Sequence, residues 1–123
     1  MKIRPTVVVP VTRAQIESGR DDGMPEILLC ANEAAIYTIE PAARAEYRFK
    51  LKEKDAFDLT VDAQPNPNAL VKVTRLSDHE LQVTMKSNPK WAHGKAMLCF
   101  DALGRQTPPP PLDPLINNGG VRV

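Results

Sequence analysis

Proline sets the tightest limit on what this chain can fold into. Twelve of its 123 residues are proline, at positions 5, 10, 25, 41, 65, 67, 89, 108–111 and 114. The ring fixes φ and removes the amide hydrogen, so proline breaks helix interiors and stays out of central strand ladders. Spaced this way, the prolines leave few windows long enough for a core helix. They fit many short strands with proline at the ends and in the turns.

Between the prolines the apolar residues recur at every second position, the period of a strand with one buried face. Tyr47, Phe49 and Leu51 alternate with Arg48 and Lys50, and Phe57, Leu59 and Val61 repeat the pattern. LVKVTRL, SDHE and LQVTMK read as a hairpin with a short polar turn. Residues 3–11 are rich in valine and broken by proline, as an edge strand would be. Residues 26–31 and 95–102 are almost continuously apolar and read as buried strands. Residues 12–18 and 41–46 could each form one helical turn, without the caps and length of a core helix. The pattern predicts one domain over residues 1–123, all-β, an antiparallel β-sandwich of about seven to nine short strands.

Charge excludes more than it assigns. Sixteen Lys+Arg face fifteen Asp+Glu, a net charge of +1. That field is too weak to steer the chain onto nucleic acid or an anionic membrane. Arg48, Lys50, Lys52 and Lys54 fall on alternate residues and would share one face of a strand. The plain reading is a solvated strand face, and the sharper one an anion-binding stripe. No apolar run approaches the ~20 residues of a membrane span, and TVVVPVTR is too short for a secretory core. A cytoplasmic location is expected. The two cysteines, Cys30 and Cys99, would close a loop of about 69 residues worth roughly 4 kcal/mol if bonded; two buried thiols are the expected state.

Catalytic constellations are missing from the sequence. Cys30, Cys99, His79 and His93 have no metal-clip spacing, so no metal and no cofactor is expected. His79 sits in a polar turn between Asp78 and Glu80. NNGG at 117–120 lacks the lysine and hydroxyl of a phosphate loop. NPKWAHGK holds the single Trp, and Lys90, Trp91, His93 and Lys95 form the candidate ligand-binding set. A tryptophan among polar groups can stack on a sugar ring or a peptide, or simply plug the end of the fold. The expected function is a non-enzymatic module for protein interaction or self-assembly, with a protein partner or a second copy and no nucleic acid or membrane. The alternative is a small-ligand or carbohydrate-binding domain using the Trp91 loop.

The run Pro108–Pro111 should be an extended left-handed rod of about 12 Å. It could be a linker, a docking segment for another domain, or a stiff loop that returns LDPLIN to a sheet as the last strand; the apolar character of DPLIN favours the loop. FDALG followed by DPLINN resembles the end of the DP-EP family, small bacterial proteins. The matching residues are Phe100, Asp101, Gly104, Asp113, Pro114, Ile116 and Asn117. They cover roughly the last fifth of the chain, and the proline run departs from the family by lengthening the loop. The resemblance implies an immunoglobulin-like sandwich and transfers no activity.

Overall fold

A computed structural model describes residues 6–20, 24, 27–29, 32–61, 64–65, 71–85, 94–104, 107–112 and 116–118. Strands dominate. The elements run β1 (Thr6–Val11), α1 (Arg13–Ser18), β2 (Ile27–Leu29), β3 (Ala34–Ile39), a 3-10 turn (Pro41–Ala43), β4 (Tyr47–Phe49) and α2 (Glu53–Ala56). Then follow β5 (Phe57–Val61), β6 (Gln64–Pro65), β7 (Val71–Ser77), β8 (Glu80–Met85), β9 (Gly94–Leu98), β10 (Phe100–Ala102) and β11 (Ile116–Asn118).

One sheet has the order β1-β3-β8-β7. β7 and β8 form the hairpin read from the sequence. Its loop is shorter than SDHE: Ser77 pairs with Glu80, leaving Asp78 and His79 as the turn, and a bulge at Leu76 shifts the register. β3 and β8 are antiparallel, but β1 lies parallel to β3 and β11 parallel to β2. The sheets are therefore mixed as well as antiparallel, and the wholly antiparallel arrangement expected does not hold. Parallel neighbours need a long crossover, and the chain from α1 to Glu33 supplies it between β1 and β3.

The apolar run 95–102 is not one strand. β9 pairs with β5 and β10 with β4, in both cases antiparallel. Between them Cys99 faces a seven-residue excursion, Lys50 to Ala56, that carries α2. Both ends of the excursion are tied to Cys99: Lys50 N–H donates to its carbonyl at 3.2 Å, and its own N–H donates to the Ala56 carbonyl at 2.9 Å. Leaving the strand at Lys50 explains why Leu51, expected inward, is 62% exposed.

The buried cluster draws on all of these pieces. It holds Val9 and Val11 of β1, Tyr37 and Ile39 of β3, and Leu81, Val83 and Met85 of β8. From the other pairs come Tyr47, Phe49, Phe57, Leu98 and Phe100. The Phe49 and Phe100 rings pack with centroids 5.1 Å apart. Each fully buried side chain of this size contributes about 1.5–3 kcal/mol, which is why two-residue alternation alone can organise the fold.

α1 begins with a capping box: Thr12 Oγ1 accepts from Gln15 N–H, and Gln15 Oε1 accepts from Thr12 N–H. It ends at Gly19, whose φ of 70° lies in the left-handed region. The proline run packs against that end. A Cβ on Gly19 would sit 3.0 Å from the Pro111 carbonyl oxygen and 3.1 Å from the Pro110 ring. The run then delivers Leu112 to the core, where it exchanges both backbone hydrogen bonds with Leu98. β11 follows and pairs with β2.

Candidate functional site

Lys90, Trp91 and His93 lie outside the described residues, and of Lys95 only the backbone position is defined, opposite Thr60 in β9. Cys30 is also outside them, so the cysteine pairing falls there too; Cys99 is half-buried. Of the residues carrying the C-terminal resemblance, Asp113 and Pro114 are outside, while Phe100 and Asp101 lie in β10, Gly104 in the turn after it, and Ile116 and Asn117 in β11.

His79 is not a merely solvated turn residue. It is half-buried, and its Nε2 stands 3.0 Å from the Arg44 carbonyl oxygen. A carbonyl can only accept, so that nitrogen carries the hydrogen. The neighbouring Asp78 bonds to Arg75 at 2.7 Å, and this hydrogen bond holds its carboxyl below its ordinary range. Arg75 also donates to the Phe49 carbonyl, while Phe49 N–H donates to that of Asp78. The turn therefore locks the hairpin onto β4, a structural task for Arg75 and Asp78.

Two surface features remain as candidates. The first is the outer edge of β1. Val11 accepts from Glu40 N–H in the parallel ladder. Backbone groups alternate along a strand, so Val7, Val9 and Val11 direct theirs to β3 and Thr6, Val8 and Pro10 direct theirs outward. Pro10 thus stands where its missing N–H costs no ladder bond. Among the described residues no strand lies on that side. Val7 and Val8 are 41% and 61% exposed. The opposite edge of the same sheet, β7, carries Lys72, Arg75 and the Leu76 bulge, devices that discourage pairing. β1 carries no charge over Thr6–Val11.

The second feature is a groove of 500 Å³ along β4 and β10, lined by Arg48, Lys50, Asp101, Leu103, Gly104 and Pro108 among others. Lys50 Nζ is 3.1 Å from Asp101 Oδ1, and Arg48 Nε is 3.5 Å from Asp101 Oδ2. The four-residue basic stripe read from the sequence is broken. Arg48 and Lys50 stay together, whereas Lys52 and Lys54 leave with the α2 excursion and are exposed. Lys54 lines a separate opening with Lys50, Asp55, Met97 and Cys99. Among the described residues no group of three His, Cys, Asp or Glu side chains could hold a metal ion, and no helix is long and apolar enough to cross a membrane. Compared with known proteins, the chain matches no family model and no curated sequence.

Proposed function

We propose that the chain is a non-enzymatic interaction module, a β-sandwich of immunoglobulin-like layering that self-associates through the outer edge of β1. The layering is supported by a core shared between the β1-β3-β8-β7 sheet and the β4, β5, β9 and β10 pairs. The observation that carries the self-association is the uncharged edge of β1, with the backbone groups of Thr6 and Val8 facing outward beside exposed valines. Such an edge is a template for strand addition.

A second copy fits it by symmetry. With a two-fold axis at Val8, the two Val8 residues exchange both backbone bonds, and each Thr6 N–H meets the partner's Pro10 carbonyl. The Pro10 position lacks a donor in both copies, so the pairing is short and reversible. Multi-angle light scattering over a range of concentrations tests it. The wild type is expected to shift from monomer to dimer, and Val8→Lys to stay monomeric with unchanged circular dichroism. A wild type that stays monomeric throughout removes the reading.

A further inference from the structure

The groove along β4 and β10 has an uneven charge: two cations share one carboxylate. Lys50 takes Oδ1 of Asp101 at 3.1 Å. Arg48 Nε lies 3.5 Å from Oδ2, too far for a hydrogen bond of ordinary geometry. That Nε is a buried nitrogen with no hydrogen-bond partner. The Arg48 charge also acts on Asp78, which is itself bound to Arg75. Neither side chain has another hydrogen bond to a described residue, so donors of the guanidinium fork and of the ammonium remain for a ligand. All three charged side chains are about one-third exposed, enough for contact with a ligand and too little for full hydration. Gly104, at a φ of 79°, and Pro108, the first residue of the stiff run, also line the groove. A volume of 500 Å³ is far more than a bare ion needs and falls in the range of small-molecule sites.

We propose that this groove binds a small molecule through an oxyanion group, phosphate or carboxylate, seated between Arg48 and Lys50. Asp101 is an internal competitor for the same two cations. It offsets their charge and yields its place to the ligand's anion. A planar guanidinium matches the paired oxygens of either group. The site is independent of the β1 edge, since it lies on other strands.

The competition gives the test its sign. Inorganic phosphate and acetate are titrated separately into labelled protein at constant ionic strength, with chloride as the control. The Arg48 Nε–H resonance and the amides of Lys50, Leu103 and Gly104 are followed by NMR. Saturable shifts at these positions are expected with phosphate, acetate or both, and the more effective anion names the ligand class. Lys50→Gln should weaken binding about tenfold, the loss of one charge-assisted hydrogen bond, and Asp101→Asn should strengthen it. Lys50 is on the surface, so its variant reports even where replacing Arg48 disturbs packing. Three outcomes would each overturn the proposal: no saturation by either anion; equal shifts at the exposed Lys52 and Lys72; or affinity in Asp101→Asn that is unchanged or lower.

Discussion

Gly19 is where a single side chain would do most damage. It combines a left-handed φ with a proline carbonyl 3.0 Å from the place of a Cβ. Gly19→Ala should therefore cost about 1 kcal/mol for the backbone strain alone and more for the collision. A drop in melting temperature of at least about 3 °C is expected by calorimetry. Thr12→Ala removes one half of the capping box and should cost about 1 kcal/mol. Tyr37 works in the other direction. Its hydroxyl is buried without a hydrogen-bond partner, and burial pushes its pKa well above the ordinary 10.0. The unfolded chain loses that proton first, so it binds fewer protons than the folded one above pH 10. Stability must then fall as pH rises through that range and be complete below it. Tyr37→Phe should leave stability at pH 7 equal or raised by about 1 kcal/mol. Urea unfolding of both proteins at pH 7 and near pH 10.5 should show a smaller alkaline loss in the variant.

At the level of elements, strands with one clean face were legible in the sequence. Leu81, Val83 and Met85 are buried as their alternation requires, and Tyr47 and Phe49 point inward while Arg48 does not. The partner of a strand, and its direction, were not legible. Periodicity in TVVVPV states that one face is apolar, and it contains nothing about β3 lying parallel to it. The break at Cys99 was also hidden, because AMLCFDA contains no Gly or Pro; the cause is α2, a structure on the opposite strand. The expectation that residues 12–18 lack caps does not hold: Thr12-x-x-Gln15 forms a capping box and Gly19 closes the helix. The charged groove was half readable. Arg48 and Lys50 show as one face, whereas Asp101 joins them from 51 residues beyond Lys50, through a pairing that no local pattern announces.

For the whole molecule, the proline run acts as a strut between the end of α1 and the core strand β9. Its fixed φ values limit the unfolded ensemble at no cost in the folded one. Replacing Pro108–Pro111 with serines should lower stability by about 2–4 kcal/mol, seen as a lower urea midpoint with an unchanged slope. Among the described residues nothing guards the β1 edge of the four-stranded sheet, while the β7 edge is blunted, and that asymmetry underlies the proposed assembly. Residue-resolved amide exchange at two protein concentrations tests this most directly. Val7 and Val9, whose amides face β3, should be protected at both. The Val8 amide should exchange freely in dilute solution and become protected in concentrated solution. A Val8 amide that exchanges freely at both concentrations would contradict the account.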